Sequence, residues 1–120
     1  MLRTLIVEDN VTFRQSFRDM LHQEFPSMEI LETSNGDEAL SQAEVFHPEL
    51  IFMDIKLPGE NGLSLTKKIK AQYPLIILTS YDLPEYREAA HQSKADSFIT
   101  KDTPTRDIFK VIRSVVFGSV

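Results

Sequence analysis

Several polar residues in this 120-residue chain each close a short apolar run. Glu8-Asp9 follows Leu5-Ile6-Val7, Asp54 follows Leu50-Ile51-Phe52-Met53, Thr79 follows Leu75-Ile76-Ile77-Leu78, and Thr100-Lys101 follows Ser97-Phe98-Ile99. If the first and third runs are neighbouring strands, the carboxylates of Glu8, Asp9 and Asp54 converge. Like charges so close raise one another's pKa unless a cation joins them. An all-oxygen donor set suits a hard ion such as Mg²⁺. A carboxylate, a divalent cation, a hydroxyl and an ammonium in one cleft meet the needs of phosphoryl transfer to an aspartate. Asp54 would be the attacking group, Lys101 and the metal would spread the charge on the equatorial oxygens, and the Thr79 hydroxyl would bind one of them. Each residue also has a plainer role: Asp9 could share a helix cap with Asn10, Thr79 could be an ordinary strand residue, and Lys101 a surface lysine. Their coincidence on one edge carries the inference. His22, His47 and His91 have no metal-ligand spacing, and the chain has no cysteine to serve as thiolate or nucleophile.

Positioning these residues is the task of five apolar runs, at Leu5-Ile6-Val7, Met28-Glu29-Ile30-Leu31, Leu50–Met53, Leu75–Leu78 and Ser97-Phe98-Ile99. The first, third and fourth are apolar on consecutive residues, as parallel strands buried on both faces are. Between them the apolar period becomes helical: Phe13, Phe17, Met20, Leu21 and Phe25; Ala39, Leu40, Ala43 and Phe46; Leu65 and Ile69; Ile108, Val111, Ile112 and Val115. Ser34-Asn35-Gly36 precedes the second helix, Pro84 sits where the fourth should begin, over Glu85 to Gln92, and Thr103 caps the fifth, with Pro104 as its first residue. Strand and helix alternate five times, so the expected fold is α/β, a three-layer, doubly wound parallel sheet of five strands. Pattern alone leaves the strand order open. In such folds ligands collect beyond the carboxyl ends of the strands, where the polar residues above lie.

Composition narrows the class. With 42% apolar residue types the chain suits one compact domain spanning residues 1–120. A formal charge of −5 disfavours direct nucleic-acid binding or attraction to an anionic bilayer. No uncharged apolar run reaches membrane-span length and the start lacks an export signal, so the expectation is a soluble, cytoplasmic protein with no membrane partner.

The motifs Leu5-Ile6-Val7-Glu8-Asp9, Asn35-Gly36-Asp37-Glu38-Ala39-Leu40, Met53-Asp54-Ile55-Lys56-Leu57-Pro58-Gly59-Glu60-Asn61-Gly62, Ile77-Leu78-Thr79-Ser80 and Ala95-Asp96-Ser97-Phe98-Ile99-Thr100-Lys101 occur in order along essentially the whole chain. Together they resemble the receiver domain of bacterial two-component response regulators. The resemblance implies a flavodoxin-like (βα)5 fold with sheet order 2-1-3-4-5 and Asp54 as phosphoacceptor. It implies Mg²⁺ held by Asp9, Asp54 and the Lys56 backbone carbonyl, with Glu8 acting through water. Thr79 and Lys101 would contact the phosphoryl group, and Phe98 would turn inward as Thr79 moves. The phosphodonor would be a sensor histidine kinase. Such a domain is not an enzyme in the ordinary sense, although it catalyses its own phosphorylation and dephosphorylation. Lys56 and Tyr81 would flank the route of the hydrolysing water.

One departure stands out: many receivers carry proline directly after the lysine, and here Asp102 follows. Lysine-aspartate is frequent in receivers of the nitrate-response type, which precede a helix-turn-helix DNA-binding domain. With a linker beginning at Phe117-Gly118-Ser119-Val120, the chain reads as a receiver excised from a longer transcription regulator. A stand-alone receiver, or a pseudo-receiver acting as a protein-binding module, is the alternative. The output surface would be the fourth helix, fifth strand and fifth helix. Phe109 and Val116, near Lys110 and Arg113, would supply apolar area there for a homodimer. A flavin carrier is disfavoured because no Gly-rich loop follows the first strand, and an Asp-x-Asp phosphatase because Asp54-Ile55-Lys56 puts lysine at the third position of that motif.

Overall fold

The computed structural model describes residues 2–69 and 73–118. The expected linker at 117–120 thus lies partly outside the described residues. The strands β1 (Arg3–Val7), β2 (Glu29–Thr33), β3 (Leu50–Met53), β4 (Leu75–Thr79) and β5 (Ser97–Thr100) form one parallel sheet. Its order is β2-β1-β3-β4-β5. The helices are α1 (Val11–Glu24), α2 (Gly36–Phe46), α3 (Gly62–Ile69), α4 (Pro84–Gln92) and α5 (Thr105–Phe117). This is the doubly wound, flavodoxin-like arrangement expected above.

Strand side chains alternate between two cores. Leu5, Val7, Ile51, Met53, Leu75 and Ile77 face Ala39 and Ala43 of α2, Leu65 and Ile69 of α3, and Ala90 of α4. Ile6, Phe52, Ile76, Leu78 and Ile99 face Phe17 and Leu21 of α1 and Ile108 and Ile112 of α5. Central strands therefore bury both faces, which explains their unbroken apolar runs. Each fully buried large side chain contributes about 1.5–3 kcal/mol of transfer free energy.

Local signals set most helix boundaries. Asn10 Oδ1 accepts from the Phe13 N–H at 2.9 Å, and Asn35 Oδ1 accepts from the Glu38 N–H at 2.9 Å. Glu38 answers from its own side by accepting from the Ser34 N–H at 2.9 Å, close to a capping box. Pro84 occupies the first turn of α4, where its missing N–H costs nothing.

The start of α5 corrects the expectation. Pro104 is the residue before the first helical turn, and Thr103 gives no cap bond. The Thr103 hydroxyl turns back instead, accepting from the Thr100 N–H at 3.2 Å and lying 3.0 Å from the Thr100 hydroxyl. The loop after Asp54 also holds an element that apolar periodicity could not reveal, a short antiparallel ribbon pairing Lys56–Leu57 with Glu60–Asn61. Pro58-Gly59 makes its turn, with Gly59 at φ 76°, the left-handed geometry glycine adopts without strain.

Phe109 and Val116, expected to offer apolar area for a homodimer, also make contacts within the chain. Both are half-buried against the α1/α5 core. The Phe109 ring stands edge-on to Phe25 with centroids 5.7 Å apart, while Arg113 pairs with Glu24 and lies over the Phe25 ring at 5.5 Å. These groups fasten α5 to the end of α1. The fourth-helix face carries different groups: Arg87 of α4 lies over the Phe98 ring at 4.7 Å and bonds Asp82 at 2.5 Å.

Candidate functional site

Neighbouring β1 and β3 end side by side, Val7 opposite Met53, so the residues that follow them meet. Carboxylate oxygens of Glu8, Asp9 and Asp54 lie within 4.8 Å of one another. Glu8 and Asp54 are buried and Asp9 is exposed. Asn10 alone supplies the side-chain cap of α1, which removes the plainer role for Asp9.

Lys101 arrives from the end of β5. Its Nζ lies 2.5 Å from Glu8 Oε1 and 3.2 Å from Asp54 Oδ2. The second oxygen of each acid is held by backbone: Asn10 N–H donates to Glu8 Oε2 at 2.9 Å, and Ile55 N–H donates to Asp54 Oδ1 at 2.7 Å. Burial pushes the Glu8 carboxyl above the usual carboxylate range, and the charge of Asp54 adds to it. Bonds from Lys101 and Asn10 offset only part of that rise. Burial alone would lower the Lys101 ammonium, but its bond to Glu8 and the charge of Asp54 outweigh this and leave it raised. Lys101 is therefore a firmly protonated counter-ion.

Thr79 ends β4 and is fully buried; its Oγ1 accepts from the Tyr81 N–H at 3.3 Å. It pairs in register with Thr100, so Thr79 and Lys101 share the carboxyl edge, and Lys101 N–H donates to the Thr79 carbonyl at 2.9 Å. Phe98, on β5 opposite Ile77, is half-buried. Lys56 stands in the ribbon beyond Asp54, its Nζ 5.4 Å from the Tyr81 ring and 5.7 Å from the Tyr86 ring. A hydrogen bond with Tyr86 holds its ammonium above the usual lysine value.

The acids and Lys101 are the residues expected to converge, and they do. Three further groups escaped sequence reasoning. Arg14 Nη1 donates to the Glu8 carbonyl at 2.7 Å, the Phe13 ring faces Lys101, and Tyr86 joins Tyr81 around Lys56. None of the three left a signal in the sequence, because each contact joins residues from separate elements.

The donor set fits a divalent ion. Three carboxylates against one ammonium leave a formal excess of two negative charges. Oxygens around Mg²⁺ sit at about 2.0–2.1 Å, so opposite ligands stand about 4.2 Å apart, and carboxylate oxygens that all lie within 4.8 Å of one another are near enough to share one ion. Neutral nitrogen and sulfur donors are missing from the cluster, as a hard ion prefers.

A five-stranded parallel sheet in this order, with an acidic cluster and a lysine at its carboxyl edge, defines a class of signalling domain. The response regulator receiver domain family matches residues 4–113, and the chain belongs to that family. Among its relatives, the polar-differentiation response regulator DivK of Brucella ovis is 34% identical over 115 residues, 92% of this chain and 92% of that protein. A CheY-like receiver domain protein from Methanospirillum hungatei superposes with a TM-score of 0.87 at 27% identity, covering 98% of this chain and 95% of that one. A DNA-binding response regulator of the LuxR family from Staphylococcus aureus superposes with a TM-score of 0.84 at 27% identity, covering 96% and 98%. The chain is thus similar to receivers of two-component signalling. Among the described residues, no helix is long and apolar enough to cross a membrane.

Proposed function

We propose that this receiver takes a phosphoryl group onto Asp54 from the phosphohistidine of a sensor histidine kinase, or from a small acyl phosphate. An Asp54 carboxylate oxygen forms the new bond to phosphorus as the phosphorus–nitrogen bond to the histidine breaks, and the imidazole leaves. Asp9, Asp54, the Lys56 carbonyl and Glu8, acting through water, would hold Mg²⁺, which supplies charge neutralisation for the transferring group when bound. Lys101 moves from its pairing with Glu8 and Asp54 onto the phosphoryl oxygens, and the Thr79 hydroxyl donates to another. As Thr79 shifts, Phe98 follows it inward and remodels the face formed by α4, β5 and α5. That face then engages an output domain, or a second copy of the chain. Lys56, Tyr81 and Tyr86 screen the line along which water would attack the acyl phosphate.

The observation that carries this reading is the Lys101 ammonium lodged between Glu8 and Asp54, a protonated placeholder where phosphoryl charge would arrive. A transcriptional output through a helix-turn-helix domain is one form of the proposal. A receiver acting on a separate protein is the other, and it is favoured by the DivK relative, 92% of whose own length aligns with this chain. In both, the domain itself contacts neither nucleic acid nor membrane and works in the cytoplasm.

The test is phosphorylation by acetyl phosphate with Mg²⁺, read by intact-protein mass and by loss of the label to hydroxylamine. Wild-type protein is expected to gain one phosphoryl group and Asp54→Asn none. Equal labelling of the variant, or an unlabelled wild type, would overturn the assignment.

A further inference from the structure

We propose that Phe13 is a positioning residue for phosphoryl transfer, an aromatic platform that keeps the Lys101 ammonium aimed at the acidic pocket. The proposal rests on the receiver reading above, in which Lys101 meets the phosphoryl group. Lys101 Nζ lies 4.6 Å from the Phe13 ring centroid, within cation–π range, while holding its ion pairs with Glu8 and Asp54. The ring is itself fixed from behind. It stacks on Phe17 with centroids 5.6 Å apart and planes 18° apart. Phe17 in turn stands edge-on to Phe52 of β3 at 4.8 Å. Its backbone is pinned as well, since the Phe13 N–H is the one bound by the Asn10 cap. A column of three rings therefore runs from the centre of the sheet to the ammonium.

The platform has a job because of what lies on the open side. A cleft of about 410 Å³, lined by Asn10, Phe13, Ser80, Lys101 and Asp102, adjoins the pocket. A lysine on four methylenes could swing into that cleft and hydrate, and its rotamer freedom favours doing so. The electron-rich face of Phe13 holds the charge at the pocket side instead. When the pairing with Glu8 and Asp54 is exchanged for phosphoryl oxygens, the ring supplies the contact that does not change. The effect belongs to the transfer step and to the orientation of one ammonium, not to metal ligation.

The experiment compares Phe13→Leu, which keeps the apolar face of α1, with Phe13→Tyr, which keeps the ring. Two readouts apply. An aromatic face over the lysine end shields its ε-methylene protons, so the Lys101 signals should lie upfield in wild type and Phe13→Tyr and return to ordinary lysine positions in Phe13→Leu. Phosphorylation by acetyl phosphate at saturating Mg²⁺ should slow by about three- to tenfold in Phe13→Leu and be restored in Phe13→Tyr. Lys101 signals unmoved by Phe13→Leu, a wild-type rate in that variant, or a Phe13→Tyr rate as slow as Phe13→Leu would each overturn the platform. A wild type that accepts no phosphoryl group would instead sink the receiver reading, and the proton shifts would still decide for or against the platform.

Discussion

A methyl group on residue 62 would sit 1.8 Å from the Asp54 carbonyl oxygen, a clash no side-chain rotation can relieve because a Cβ is fixed to its backbone and the atom it meets is backbone. Gly62 opens α3 directly behind the loop that follows Asp54, and its N–H donates to the Ile55 carbonyl at 2.7 Å. Gly62→Ala is therefore expected to cost about 3 kcal/mol or more in urea unfolding, at the upper end of overpacking effects. Gly59→Ala, where nothing lies within 4 Å but φ is +76°, should cost about 1 kcal/mol, from backbone geometry alone. Equal costs at the two positions would contradict this division. Legibility at this scale follows from how far the partner lies along the chain. Glu8, Asp9, Asp54, Thr79 and Lys101 could be read because they follow four apolar runs, Glu8 and Asp9 sharing one. The grip of Phe13 on Lys101 and of Tyr86 on Lys56 could not, since each joins residues from separate elements and leaves no local pattern. Thr103 misled because its hydroxyl had a competing partner in Thr100, which nothing in a capping rule anticipates.

Between elements, charge does what apolar packing does less well at the sheet edge. Glu32 of β2 accepts from Arg14 at 2.9 Å and Arg18 at 2.7 Å on α1, and Arg14 also holds the Glu8 carbonyl. Burial would raise the Glu32 carboxyl, but the two guanidiniums outweigh it and hold it below its ordinary value of 4.5. A depressed carboxylate contributes stability above its unfolded pKa and loses it as pH falls through the folded one. Glu32→Gln should thus cost about 1 kcal/mol near neutral pH, a cost that shrinks as pH falls below 4.5. Urea midpoints for the two proteins at about pH 7 and about pH 3 check this, and a gap unchanged between them would refute it. Strand and helix positions were legible because β1, β3 and β4 each carry an unbroken apolar run of three or four residues and α1 and α2 announce themselves with asparagine caps. The ribbon after Asp54 was not, because two-residue strands are shorter than any apolar period. The packing of Phe109 on Phe25 was hidden for another reason: a residue off the inner stripe of its own helix can still be covered by a neighbour.

For the whole molecule, the acidic cluster predicts linkage between ion binding and folding. Magnesium at ten times its dissociation constant should raise the unfolding free energy by about 1.4 kcal/mol. Asp9→Asn should abolish that gain while changing the metal-free stability little, because Asp9 is exposed and caps nothing. A magnesium-dependent melting shift that survives in the variant would place the ion elsewhere. The five-stranded sheet itself was legible from alternation of period, whereas its order was implied only by the family resemblance.

The pocket also draws its parts from almost the full span of the chain, with Glu8 near the start and Lys101 following the last strand. During synthesis, the carboxylates emerge from the ribosome long before their ammonium does. A nascent or prematurely terminated polypeptide that stops short of β5 therefore carries Glu8 and Asp54 without the ammonium that neutralises them in the finished fold.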